Sequence, residues 1–422
     1  MNRDNGLWSA WRARIFSAAW ILYAGYYVCR KDIGGGEGHA IPSLASTLAC
    51  FGATYAVGQL VGGALADRVG ASRTALLGAG ISVVCTASLS ICSQPGVVLF
   101  LQLGNGFGQG FGWPSLIKLL GSWFRDGERN LVLSWWSTSY ILGGLLASFV
   151  TDWLALTTDA TSHPRFHPAY LASATLLLVA ALTFMRKTHN LPKNPVGDDA
   201  SSPETRPARP WTELLSSSSI RYISGVYFFL KMTRYTLLFW LPSYLITEVG
   251  YHIHSTRHTA SYFELFGFLG PLAAGYAAQR YFKNRSMALG TGLLFGLAFL
   301  CLLHPLLVSG GTFAMVISIA LMGIIIHGAD IVVSGMAVLD AVPGRLQGRA
   351  AGLVNAVGSM GQILSPFLVT VYVSHFGWTR LFDLFVFFAL AAGSLCALAT
   401  QQEDKVRTIH NRSVLEPLRS SL

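Results

Sequence analysis

Long apolar runs alternate with short polar gaps along almost the whole chain. A helix needs about 20 apolar residues to cross a bilayer. Twelve runs qualify, near 14–33, 43–66, 73–92, 96–118, 130–153, 167–186, 220–247, 257–279, 284–306, 312–336, 348–374 and 379–400. Only the turn His375-Phe376-Gly377-Trp378 divides the last two. The longest polar stretch, 187–219, is rich in Pro, Ser, Asp and Lys and reads as a flexible linker. It splits the runs six and six. The pattern predicts an all-α membrane protein of twelve transmembrane helices. One six-helix half spans 1–186, the linker 187–219, the second half 220–400, and a polar tail 401–422.

Composition sharpens this picture. Of 422 residues, 52% are hydrophobic and 12% charged, against about 25% charged in a soluble domain. The net charge of +10 invites a nucleic-acid partner. The basic residues sit in the gaps between apolar runs, however, and not on one face of a soluble domain, so none is expected. Cys29, Cys50, Cys85, Cys92, Cys301 and Cys396 lie in or beside apolar runs without a CxxC pair and read as small packing residues. The stretch Met1–Arg14 carries three arginines and leads into further spans, so the first run reads as a transmembrane helix and not a removed signal.

Basic residues also set the orientation. With both termini inside, only Arg165, Arg257 and Arg380 of the 30 Lys and Arg fall outside, and Arg30, Lys31, Lys231 and Arg234 fall within spans. Both termini are expected in the cytoplasm, in a plasma membrane or in the inner membrane of a bacterial envelope.

The halves echo each other. Gly63-Ala-Leu-Ala-Asp67-Arg68 closes the second run, and Gly275-Tyr-Ala-Ala-Gln279-Arg280 closes the eighth, 212 positions later. Arg30 in the first run is matched by Arg234 in the seventh, 204 positions later. Such repeats place a site between the halves, near the membrane midplane.

A charge at the centre of a membrane helix costs about 2.5–3.5 kcal/mol on insertion scales, so it marks a functional site. Arg30 and Arg234 are such charges, and the repeat turns them toward one another. A guanidinium fork matches phosphate oxygens. Tyr23, Tyr27 and Arg30 share one helix face at i, i+4, i+7, which makes the tyrosines site-lining candidates. Tyr26 points elsewhere and reads as packing. The glycines of 104–110 lie in an apolar run, so they read as close helix packing and not as a nucleotide loop.

Several segments carry a family resemblance. Asp67-Arg68-Val-Gly70-Ala-Ser-Arg73, with Gly63 before it, resembles the loop signature between the second and third helices of the major facilitator superfamily. Tyr26-Tyr27-Val-Cys-Arg30-Lys31 resembles the first-helix signature of its organophosphate:phosphate antiporters, and Arg234-Tyr235-Thr-Leu-Leu-Phe-Trp240-Leu-Pro242-Ser-Tyr244-Leu245 the seventh-helix one. Gly106-Phe-Gly-Gln-Gly110-Phe-Gly-Trp113-Pro114-Ser115, Gly121-Ser-Trp123-Phe124, Ala350-Ala351-Gly352 and Phe376-Gly377-Trp378 extend the likeness over about 14–400.

The resemblance implies a major facilitator fold and a rocker-switch exchange of an organic phosphate, such as a hexose phosphate, for inorganic phosphate. The two arginines would hold the phosphoryl group, and neither cofactor nor enzymatic step is implied. A family lysine of the second helix corresponds to Gln59, a fifth-helix histidine to Ser139, and tenth- and eleventh-helix tyrosines to His327 and Ser359. These departures leave a less basic site. Lys31 follows Arg30 as in the family, and Glu264 is the countercharge expected for Lys31 or Arg234. Lys231, one turn from Arg234, adds a cation. Asp330, one turn from His327, pairs with that histidine or with Lys231. The short glycine-rich segment 34–40 departs from the family, at the outer gate. The expected protein is monomeric. A membrane sensor of an external sugar phosphate, which the family contains, and a proton-coupled porter using Asp330 or Glu264 are the alternatives.

Overall fold

In a computed structural model the chain is helical throughout the described residues, which are 2–31, 44–92, 94–124, 126–157, 168–188, 209–250, 261–283 and 285–419. The helices of the first half are α1 (Asn2–Lys31), α2 (Leu44–Arg68), α3 (Ala71–Leu89), α4 (Pro95–Gln109), α5 (Gly112–Trp123), α6 (Asp126–Thr157) and α7 (Pro168–Thr188). A short α8 (Pro210–Ser216) leads into the second half. That half contains α9 (Ser218–Thr247), a helical stretch 261–267, α10 (Leu269–Arg280), α11 (Ser286–Ser309), α12 (Thr312–Ile331), α13 (Ala337–Ala341), α14 (Gln347–Phe376) and α15 (Leu381–Arg419).

Local chemistry sets the element ends. Proline opens α4 and α8, where its missing N–H costs nothing. Ser217 caps α9 by accepting from the Ile220 amide. Gly70 and Gly377 turn the chain between α2 and α3 and after α14 at φ of 107° and 76°, which a Cβ would resist.

Among the described residues, seven helices are long and apolar enough to cross a membrane by length and composition alone. The remaining spans of the twelve are diluted by polar residues or interrupted. Arg30 and Lys31 lie in α1, Lys231 and Arg234 lie in α9, and the fourth span breaks at Gly110-Phe111 between α4 and α5. One expectation is corrected here and one is extended. The 187–219 stretch is not wholly a flexible linker, because α7 runs on to Thr188, α8 occupies Pro210–Ser216 and α9 begins at Ser218. The polar tail after Gln401 continues the helix of the twelfth span to Arg419. Segments 34–40 and 189–208 lie outside the described residues.

In the first half α1 packs on α6 and α7, and α4 on α2 and α3. In the second, α9 packs on α14 and α15, while α11 packs on α12 and α15. The halves meet where α2 and α5 lie against α14 and where α6 lies against α10. Large side chains such as Trp136, Phe184, Phe382 and Phe385 fill the interior. Val84, Phe100, Phe149, Phe299 and Leu306 are exposed on the outside, as expected where hydrocarbon and not water is the solvent.

The tenth span is irregular. Between α12 and α13 it forms a π-helical turn, Val332–Met336. The break at Gly110-Phe111 interrupts the corresponding span of the first half. Both irregularities border the polar centre described next, as single π turns at functional sites do.

Candidate functional site

Four charged side chains converge on the centre. On the first half, the Arg30 guanidinium lies between two tyrosine rings, 4.4 Å from the centroid of Tyr27 and 4.4 Å from that of Tyr55. Its Nη2 donates to Gln109 Oε1 at 3.4 Å. Gln109 in turn donates to the Tyr26 carbonyl and to Ser82 Oγ, both at 2.9 Å, and Ser82 donates to Asn105 Oδ1. The guanidinium is thus oriented from behind by a buried amide network, and its Nε has no acceptor among the described residues.

On the second half, Arg234 faces the Tyr140 ring at 4.9 Å and pairs through Nη1 with Asp330 Oδ1 at 3.2 Å. The same carboxylate oxygen accepts from the Tyr227 hydroxyl at 3.1 Å. Lys231 donates to Ser359 Oγ at 3.2 Å, and Ser359 donates to Gln59 Oε1 at 3.0 Å across the half boundary. The Lys231 ammonium lies 4.9 Å from the Tyr227 ring and 5.8 Å from the Tyr55 ring. Tyr55 is therefore shared by Arg30 and Lys231. The rings of Tyr27 and Tyr140, 5.4 Å apart, join the surroundings of Arg30 to those of Arg234.

Three cations and one carboxylate lie together here, with Lys231, Arg234 and Asp330 buried and Arg30 half-buried. Beside them lie Arg30 Nε, Gln59 Nε2 and Tyr140 Oη, polar atoms without a partner among the described residues, and Ser139 Oγ, next to Tyr140 in α6, likewise has none. A buried unpaired donor costs about 1–3 kcal/mol, so the arrangement is built for a polar, anionic guest.

Several expectations meet different partners. Arg234 is paired with Asp330 and not with Glu264, which is half-buried in 261–267. Asp330 thus engages Arg234 and Tyr227 directly and not His327, while its charge also acts on nearby Lys231. The His327 Nδ1 faces the Gly323 carbonyl at 2.8 Å, and its ring lies against Tyr140 and Phe263. Tyr23 is 2% exposed and packs on Trp113 and Trp136, beneath Tyr27. Tyr26 donates to the Ala75 carbonyl at 2.7 Å. The side chain of Lys31 lies outside the described residues. Glycines allow these helices to approach closely: a Cβ on Gly110 would lie 2.6 Å from the Tyr55 carbonyl oxygen.

A second polar cluster joins the halves at the basic ends of the helices. Asp67 accepts from Lys118 at 2.7 Å and from Arg349 Nη1 at 2.8 Å. It also accepts from the backbone N–H groups of Gly348 and Arg349, each at 3.0 Å. Its carboxylate thus occupies the N-terminal end of α14, where free N–H groups and the helix dipole favour an anion. Gly63 makes room, since a Cβ there would collide with the Gly348 carbonyl oxygen. Arg129 of the first half pairs with Asp340 of the second at 2.6 Å, and Asp340 also accepts from Ser286. Arg68 and Arg73 are exposed beside this latch.

The sequence profile described as Major Facilitator Superfamily matches residues 17–293 and 223–421. The chain belongs to the major facilitator superfamily. A glycerol-3-phosphate transporter of Bacillus subtilis is 25% identical over 402 residues, covering 89% of each chain. A probable hexose phosphate transport protein of Chlamydia muridarum is 24% identical, covering 90% of this chain and 89% of that one. A membrane sensor protein, UhpC, of Salmonella typhimurium is also 24% identical, over 91% and 89%. The relatives thus agree with the organophosphate:phosphate antiporter signatures of the first, fourth and seventh helices. In fold, the chain matches the crystal structure of the facilitator FucP in the outward conformation with a TM-score of 0.71 at 12% identity, covering 91% of this chain and 98% of that one.

Sequence reasoning passed over four residues of this facilitator's centre: Tyr55, Gln109, Tyr140 and Tyr227. The repeat offset of 204 carries Tyr23 onto Tyr227 and would have found it. Tyr55 shares a helix face with Gln59 at i, i+4. Gln109 stood out only as a polar residue in a glycine-rich apolar run. Tyr140 has no periodic signal, because it reaches Arg234 through the contact between halves.

Proposed function

We propose that this facilitator exchanges an organic phosphate, a hexose phosphate or another sugar phosphate, for inorganic phosphate by alternating access. Arg30 and Arg234 hold the phosphoryl group, with Lys231 as a third cation. The observation that carries the reading is the clustered set of three cations against one carboxylate, beside donors that lack an acceptor among the described residues. Its surplus of positive charge suits a phosphoryl anion. The paired tyrosine faces favour guanidinium planes and leave the guanidinium edges for oxygen. The names of the relatives in Bacillus subtilis and Chlamydia muridarum support the same substrate class.

The Asp67 and Arg129 clusters close the face that bears the basic loops, which we take as the cytoplasmic one with both termini. Substrate then enters from the opposite face, and breaking these contacts opens the site to the cytoplasm. The protein acts as a monomer in the plasma membrane, or in the inner membrane of a bacterial envelope.

Uptake of labelled glucose 6-phosphate or glycerol 3-phosphate into phosphate-loaded proteoliposomes tests the reading. Exchange that depends on internal phosphate is expected, and its loss in Arg30→Ala and Arg234→Ala. No exchange, or full exchange in both variants, overturns it. The sensor among the relatives favours a second reading, a receptor for an external sugar phosphate. Binding of the ester without transport would identify that function.

A further inference from the structure

Asp330 is the residue that the exchange reading leaves without a task. It lies in α12, is 2% exposed, and places Oδ1 on both Arg234 and the Tyr227 hydroxyl. A carboxylate is the same kind of ligand as a phosphoryl group for a guanidinium fork: an anion presenting paired oxygens. It therefore occupies part of what the substrate must contact.

We propose that Asp330 is an internal stand-in for the substrate, which takes up one proton when a phosphoryl group reaches Arg234, so that each phosphoryl group is bound and carried with a proton. The inference rests on the phosphoryl reading above. A phosphoryl dianion on Arg234 puts negative oxygens next to the Asp330 carboxylate in a site with little water, where like charges repel strongly. Aspartate is short and its backbone is held. The Ser334 hydroxyl donates to the Asp330 carbonyl at 2.6 Å, and the Ser334 carbonyl in turn accepts from the Trp113 indole of the other half at 3.2 Å. The π-helical turn begins two residues on. The side chain cannot swing far, so the repulsion is relieved by neutralising it.

The step balances simply. The Asp330 carboxylate plus one proton becomes the carboxylic acid, and the proton comes from water or from the acidic oxygen of a monoanionic ester. The new O–H then donates to the phosphoryl group. When the ester leaves, the proton goes back to water and the ion pair with Arg234 forms again. Other groups around Asp330 are accounted for. From α9 these are Tyr227, Lys231 and Arg234, from α6 Tyr140, and from α1 Tyr27, which meets Tyr140. From the stretch before α10 comes Glu264, half-buried. On α12 itself His327 turns to Gly323, and His304 of α11 is engaged with Ser318 farther along the same helix.

The test is calorimetric titration of the purified full chain with glycerol 3-phosphate at about pH 7.5, in buffers of different ionisation heat. The ester is then almost wholly dianionic, its second pKa being about 6, so an absorbed proton goes to the protein. About one proton per bound ester is expected for the wild type and for His327→Gln. Asp330→Asn should bind the ester with no proton uptake. Wild-type binding without proton uptake overturns the inference alone and needs no variant to fold. Uptake that persists in Asp330→Asn, or disappears in His327→Gln, also overturns it. Failure of the wild type to bind either glycerol 3-phosphate or inorganic phosphate overturns the phosphoryl reading instead.

Discussion

The substitution Asp67→Asn should unlatch the halves at their basic face. The Asp67 carboxylate accepts from four donors, two cationic side chains and two backbone N–H groups, at 2.7–3.0 Å. Its side chain is 1% exposed. The amide that replaces it would keep one acceptor oxygen and turn an NH2 group toward donors. At least two of the four donors then lose their acceptor, at about 1–3 kcal/mol each. The arithmetic gives about 2–6 kcal/mol against the latched state, or about 30- to 25,000-fold in the latched-to-open ratio. Charge loss alone at an exposed site would be worth under about 1 kcal/mol, so the magnitude distinguishes a latch from a surface pair. The assay is pulsed electron paramagnetic resonance between spin labels at Arg73→Cys and Lys283→Cys, both exposed at that face and one on each half. Cys50, Cys85 and Cys92, which are half-buried, are changed to serine in that background. Asp67→Asn should move the distance distribution to longer values. An unchanged distribution refutes the reasoning.

Other perturbations have equally definite outcomes. Arg30→Lys keeps the charge but loses the fork and the stack between Tyr27 and Tyr55. With about 1.5–3 kcal/mol per charged hydrogen bond, phosphate binding measured by equilibrium dialysis should weaken by about 10- to 150-fold. Tyr55→Leu should weaken phosphate binding in the same measurement by about 2- to 30-fold, the worth of a cation–π contact, while Tyr55→Phe stays near wild type. Gly323→Ala drives a Cβ into the Phe263 carbonyl oxygen. Overpacking of this kind costs about 1–3 kcal/mol, so the melting temperature in detergent should fall by several degrees, while Gly292→Ala, whose Cβ meets nothing within 4 Å, should stay near wild type.

The twelve apolar runs, the break between halves and the two arginines were legible in the order of residues. A bilayer demands long apolar helices wherever they lie, so span positions are a local property. The offset between Arg30 and Arg234 is local in the same sense, because a duplicated unit repeats its register. Who partners whom was not legible. Glu264 and Asp330 are both single carboxylates in or near spans, and residue spacing offers no preference between them as the partner of Arg234. Only the packing of α12 on α9 sets Asp330 and Tyr227 against that guanidinium. Likewise Lys231 meets Ser359 and Gln59 only because α14 of one half lies along α2 of the other. The sequence by itself determined the membrane class, the repeat and the cations at the centre, through periodicity and the cost of burying charge. Tertiary structure decided the ion pairs, the tyrosine brackets and the latch, because those depend on contacts between helices far apart in the chain.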